Sequence, residues 1–201
     1  LNNRHGSYSV TSVKLSFMRT PASDTELVVL IGPDGRPAGT HPKATVHTTN
    51  TPLHYAFSCY LTRPDGQVLL TRRALAKPTW PGVWTNSMCG HPGPGETPEA
   101  ALRRRASQEL GISPAALDDA RLILPDFSYR ATDSSGIVEW EVCPVFMAVA
   151  GEIAPNPEEV DSWQWLPGAD VLRAVEATPF AFSPWMREQL DHTALREALL
   201  A

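Results

Sequence analysis

One stretch, TPEAALRRRASQELG from Thr97 to Gly111, carries helix signals at both ends, and the runs on either side of it read as strands. Thr97 can cap the helix with its hydroxyl, Pro98 suits the first turn, where an N–H has no partner to lose, and Gly111 suits a left-handed exit. Before the helix, ELVVLI (Glu26–Ile31) is a short apolar strand closed by the turn GPDG, and LHYAFSCYL and QVLLTRR flank TRPDG as a hairpin. After it come RLILPDFSYRA and GIVEWEVCPVFMAVA, joined by TDSSG, then the strand VDSWQWL. GADVLRAVEA and SPWMREQLDHTALREALL read as helices at the end. A mainly antiparallel sheet with helices packed on it, an α+β fold, is the simplest arrangement of these elements.

The chain of 201 residues is 42% hydrophobic, which suffices for one substantial core, and its nineteen prolines are dispersed rather than gathered in a linker. Residues 26–201 are therefore expected to form a single domain. Residues 1–25 are set apart as an N-terminal extension, disordered or foreign to the domain. A formal net charge of -5 argues against a general nucleic-acid binder but leaves room for a local basic patch that holds a small anion. No apolar run approaches the ~18 residues of a membrane span, and no signal peptide is visible. The expectation is a cytoplasmic protein, monomeric or weakly dimeric, acting on a small molecule without membrane or nucleic acid. Cys59, Cys89 and Cys143 are odd in number and widely spaced, which suits reduced thiols. Cys59 and Cys143 lie in strand contexts and read as core. Cys89 lies in TNSMCGHPGPGE, among small and turn-forming residues, where a thiol is free for chemistry.

In GIVEWEV a strand period of two sends Glu139 and Glu141 to one face, with Cα atoms roughly 6.5 to 7 Å apart. Such a pair is either a solvated strand face or half of a metal site, because two like charges on one face repel unless a cation lies near. His47 and His54 in VHTTNTPLH, and His91 after the cysteine, are candidate partners. Imidazole and carboxylate together suit zinc, manganese or iron better than calcium. In the helix, Arg105 and Glu109 are spaced as an i,i+4 pair. The Gly-rich GHPGPGE that feeds the helix could also bring Glu109 to a phosphate-bound magnesium. TRRALAK is a short basic run whose ordinary meaning is a solvated strand end. Beside KPTWPGVW it would also suit an anionic substrate with an apolar tail.

From Gly90 the chain partially fits the Nudix box: the glycine, Glu96 six residues later, Arg104 after seven intervening residues, then QELGI. Arg105 and Gln108 stand where the box has acidic residues that hold hydrolytic metals. WPGVWTNSMCGHP, YRATDSSGIVEWEVCPVF and ATPFAFSPWM are, in order and spacing from about Glu26 to Gln189, similar to the type I isopentenyl-diphosphate isomerases of the Nudix superfamily. The resemblance implies a Nudix-like fold and interconversion of isopentenyl and dimethylallyl diphosphates. It implies that Cys89 and Glu141 are acid/base residues, with Tyr129 assisting Glu141 and Trp185 facing a carbocation. It implies a divalent site of His47, His54, His91, Glu139 and Glu141, holding Mn2+, Zn2+ or Mg2+. Glu109 is implied in a second site, for Mg2+ carried with the diphosphate, and Lys43, Arg72, Arg73, Lys77 and Arg105 resemble the family's substrate-binding cations. Trp140 stands where relatives often have asparagine, on the strand face opposite the two glutamates.

Overall fold

Residues 26–201 are described in the computed structural model, and the N-terminal extension expected over 1–25 lies outside the described residues. The first elements are β1 (Leu27–Ile31), β2 (Pro37–Pro42) and one helical turn, α1 (Lys43–Val46). The hairpin follows, but its first arm is interrupted at Ala56 into β3 (His54–Tyr55) and β4 (Phe57–Thr62), with β5 (Gln67–Arg73) returning. Two short strands, β6 (Trp84–Thr85) and β7 (Met88–Gly90), lead towards the helix α2 (Pro98–Leu110). Beyond it lie β8 (Leu117–Leu124), β9 (Ser128–Thr132), β10 (Val138–Val142), β11 (Val145–Ala150) and β12 (Val160–Pro167). The chain closes with α3 (Gly168–Ala177), α4 (Pro184–Leu190) and α5 (Thr193–Leu200).

The strands form two sheets, ordered β2-β1-β3-β10-β9 and β12-β5-β4-β11-β8, with β6 paired to β5 and β7 to β4. Both are mainly antiparallel, and each contains one parallel pairing, β3 with β10 and β4 with β11. These two pairings are one long strand pair bent in the middle. At the bend Ala56 N donates to Val142 O at 2.9 Å and Ser58 N to Pro144 O at 3.0 Å. Pro144 has no N–H to give to a ladder, which is why GIVEWEVCPVFMAVA is two strands rather than one.

The larger sheet is covered on both faces. Phe57, Cys59, Leu61 and Leu69 point to one side, where they pack with Leu102 and Leu110 of α2. Tyr60, Val68 and Leu70 point to the other, against Val171, Trp185, Met186 and Leu195 of the C-terminal helices. The period of two in β4 and β5 thus feeds two separate cores. SPWMREQLDHTALREALL, read as one helix, is two, because His192 is extended with φ -84 and ψ 120. Among the described residues no helix is long and apolar enough to cross a membrane.

The signals at the ends of α2 act as expected. Thr97 Oγ1 accepts from Ala100 N at 3.2 Å, and Gly111 ends the helix at φ 66. A Cβ on Gly111 would stand 2.7 Å from Ala154 O, on the segment that caps the last carbonyls of α2. Gly111→Ala should therefore cost at least about 1–2 kcal/mol from the left-handed conformation alone. A lowered denaturant midpoint with unchanged slope is the expected result; an unchanged midpoint would mean that this exit carries no constraint.

Candidate active site

The pairing of β3 with β10 sets His54 directly beside Glu141. His47 leaves the end of α1, His91 leaves the end of β7, and both arrive at the same carboxylate. Glu141 Oε1 lies 3.0 Å from His91 Nε2, 3.4 Å from His54 Nε2 and 3.7 Å from His47 Nε2. The three rings stand 5.1 to 5.6 Å apart. Burial, the largest influence on Glu141, would raise its pKa, but the three imidazoles outweigh it and hold the carboxyl well below the ordinary range. Burial pushes His91 down to about 4. At His54 burial also lowers the pKa, and Glu141 outweighs it, so the net shift is upward.

These four groups fit a divalent cation. His54 Nδ1 is tied to Pro52 O at 2.9 Å, which makes that nitrogen the donor and leaves Nε2 with a lone pair. Among the described residues the buried Nε2 atoms of His47 and His54 have no hydrogen-bond partner. Three nitrogens converging on one anionic oxygen cannot all be lone pairs, and three adjacent imidazolium ions would repel one another. A shared cation resolves both difficulties, and the two-type donor set suits zinc, manganese or iron. The ligand atoms of His47, His54, His91 and Glu141 all lie within 4.8 Å of one another.

Glu139 is adjacent but engaged differently. Its Oε1 accepts from Thr79 Oγ1 at 2.7 Å and its Oε2 from the Tyr129 hydroxyl at 2.8 Å. Tyr129, the cross-strand partner of Glu141 on β9, also lies 2.9 Å from Glu141 Oε2. One phenol carries one proton, so it can donate to only one of the two carboxylates at a time. Burial first, and then these two anions, push the Tyr129 pKa well above that of a free phenol. Trp140 points to the other strand face, where it pairs with Arg130, as the alternation requires.

Cys89 lies on β7 against β4, within reach of Ser58 Oγ at 3.3 Å and Asn86 Oδ1 at 3.4 Å. Burial dominates its acidity and pushes the thiol up to about 12, with Ser58 and Asn86 opposing. Asn86 also accepts from Trp185 Nε1 at 3.0 Å, so one buried amide holds both the thiol and the indole. The Trp185 ring meets Trp80 edge-on at 5.4 Å, and the Arg73 guanidinium carbon lies 5.5 Å from its centroid.

A cavity of about 390 Å³ is lined by Cys89, Tyr129, Glu139, Glu141 and Trp185, and also by Lys43, Arg73, Lys77, Arg105 and Glu109. Glu109 faces this space without joining the imidazole group, and its partner is Arg105, through Nε at 2.8 Å. Arg72 is placed apart from the rest. Its side chain donates to Gly82 O at 2.9 Å and to Asp161 at 2.9 Å, and it does not line the cavity. Adjacent residues of a strand point to opposite faces, so β5 can send only one of Arg72 and Arg73 inward. The Arg73 head itself is taken by Thr79 O and Trp80 O. The partial box has a mechanical role as well. Arg104 grips Glu96 with two hydrogen bonds, at 2.9 and 2.8 Å, and reaches His91 O at 3.0 Å, fixing the loop that carries that imidazole. Sequence reasoning missed Ser58, Thr79, Asn86 and Glu159, since isolated polar residues in apolar or loop runs give no periodic signal. TNSMC did contain Asn86, three residues before the thiol.

A NUDIX domain model matches residues 52–198. The chain is 59% identical to the isopentenyl-diphosphate Delta-isomerase of Corynebacterium diphtheriae, over 88% of this chain and 98% of that one. It is 56% identical to the protein of the same name from Clavibacter michiganensis subsp. michiganensis, over 83% and 84% of the two chains. Among solved structures, a Deinococcus radiodurans protein superposes with a TM-score of 0.64 at 20% identity, covering 83% of this chain and 98% of that one. The MutT protein of Methanosarcina mazei does so at 0.57 and 18% identity, covering 73% and 96%. At such identities these structures speak for the fold alone.

His54→Ala should strip most of the bound transition metal, measured by elemental analysis after exhaustive dialysis, whereas Glu109→Gln should retain it. Equal metal loss in both variants would mean that Glu109 shares the imidazole site.

Proposed function

The chain belongs to the isopentenyl-diphosphate Delta-isomerases of the Nudix family, and from that premise we propose how its residues divide the work of moving a double bond between isopentenyl and dimethylallyl diphosphates. The observation that carries the reading is that Cys89, Tyr129 and Glu141 face one cavity that also holds a cluster of cationic side chains. An unactivated alkene is a weak base. Its protonation needs a strong acid on one side and a base for the neighbouring carbon on the other. Glu141, carrying the proton for this step and assisted by the Tyr129 hydroxyl at 2.9 Å, delivers it to the terminal methylene carbon. That C–H bond forms at the expense of the alkene π pair and leaves a tertiary cation. Cys89 thiolate removes a proton from the carbon nearer the diphosphate, and the freed C–H pair becomes the new double bond.

Isomerisation is reversible, so the pair acts in either direction, with the thiol as acid and the carboxylate side as base in the return. Burial pushes the Cys89 thiol up in the protein alone, so the carbocation formed beside it and the donors Asn86 and Ser58 must favour the thiolate during turnover. Trp185, held by Asn86, offers its ring face to the cation, a contact worth up to about 2 kcal/mol when desolvated. Its burial also excludes the water that would capture that cation.

His47, His54, His91 and Glu141 would hold the divalent ion, Mn2+, Zn2+ or Mg2+, with Glu139 beside them as a further oxygen donor. When bound, that ion supplies positive charge that makes its neighbours stronger acids. Lys43, Lys77 and Arg105 would receive the diphosphate, Arg73 braces the loop beneath it, and Glu109 would hold the Mg2+ that travels with the substrate. Arg72 has no part in this cradle. A hydrolase reading is disfavoured because Arg105 and Gln108 stand where water-activating carboxylates are needed.

Turnover in D2O should place deuterium in the methyl group of dimethylallyl diphosphate with the diphosphate intact, and Cys89→Ala should lose about 10³-fold or more in rate. Release of inorganic phosphate without deuterium on carbon would favour hydrolysis, and a fully active Cys89→Ala would remove the thiol from the mechanism.

A further inference from the structure

Each cation of the cradle already has an anion. Lys43 pairs with Glu26 at 3.0 Å, Arg105 pairs with Glu109, and Glu159 bridges Lys77 and Arg105, with Arg105 Nη2 at 3.3 Å. Among the described residues the three cradle cations Lys43, Lys77 and Arg105 are matched by three carboxylates, Glu26, Glu159 and Glu109, so the cradle itself carries no formal net charge. A diphosphate monoester carries about three negative charges near neutral pH, since the second ionisation of a phosphate falls near pH 6. With its cations already paired, such a cradle offers the bare anion little net attraction and favours it with its charge offset.

Glu159 is fixed for this role by the backbone. Its N donates to Asn156 O at 2.9 Å, and its O accepts from Ala74 N at 3.0 Å. Asn156 N in turn donates to Glu109 O at 2.8 Å, and Ala154 N to Leu110 O at 2.8 Å, so the segment before β12 closes the open end of α2. The two carboxylates that flank Arg105 are thereby held at a set spacing by main-chain bonds. The Arg105 side chain, only 8% exposed between them, has no room to leave.

Resting on the diphosphate reading above, we infer that Glu159 is a specificity-determining residue: it neutralises Lys77 and Arg105 so that the cavity takes a diphosphate as its magnesium complex and refuses the free anion. The counter-charge acts over a few ångströms in a partly screened site, which makes an effect of about tenfold or more reasonable.

Inorganic pyrophosphate, titrated calorimetrically into the protein in buffers with and without magnesium, tests this. The unaltered protein should bind it at least ~tenfold more tightly with magnesium. In Glu159→Gln the magnesium-free affinity should rise and that ratio should collapse, while Glu159→Asp, which keeps the charge, should preserve it. Lys77→Gln should widen the ratio, and it keeps the test open should Glu159→Gln fail to fold. A ratio unchanged in the folded variants would overturn the inference and leave the cradle standing. Absence of any pyrophosphate binding by the unaltered protein, with or without magnesium, would overturn both.

Discussion

The parallel pairing of β3 with β10 is the constraint on which the rest depends. It sets His54 across from Glu141 by main-chain register, not by side-chain choice, and β9 on the far edge of β10 adds Tyr129 at the same level. The bend at Ala56 and Pro144 then turns the same two strands into the larger sheet. There Ser58, two residues beyond the bend, reaches Cys89. One kinked strand pair thus joins the imidazole–carboxylate group to the thiol. A one-residue slip would turn both glutamates to the solvent face.

Electrostatics explains why so polar a centre can stay buried. Glu139 and Glu141 would each resist burial alone, yet Thr79 serves one oxygen of Glu139, the imidazoles one oxygen of Glu141, and the two remaining oxygens share the Tyr129 proton. The imidazoles hold Glu141 ionised, and a cation among them removes the remaining mismatch. Around this centre lies a second circle of neutral hydrogen bonds. Tyr60 donates to Gln189 at 2.9 Å, Gln189 donates to Ser58 at 2.8 Å, and Asn86 ties Met88 O, Cys89 and Trp185 together. These groups come from β4, the segment around β7, and α4, so α4 is part of the site's scaffold.

Much of this was legible in the sequence because it is periodic or punctuated. Alternation put Glu139 and Glu141 on one face with Trp140 opposite, and Thr97, Pro98 and Gly111 marked the ends of α2. Long motifs then tied the histidines and Cys89 to a family. What escaped has physical reasons. The breaks at Ala56 and Asp191–His192 lie inside runs whose composition suits continuation, whereas the break at Pro144 follows from the proline's missing N–H. A basic run such as TRRALAK does not announce which neighbour faces inward, and Arg72 took the outer face. Glu159 sits in a loop, where no pattern distinguishes a solvated carboxylate from one that holds Lys77 and Arg105.

X-ray absorption at the edge of the bound metal tests most directly the claim that register assembles a nitrogen–oxygen metal centre beside an uncoordinated thiol. Three imidazoles with oxygen donors are expected, at about 2.0 to 2.2 Å if the ion is zinc, with no sulfur scatterer near 2.3 Å. A sulfur ligand, or fewer than three imidazoles, would contradict the account.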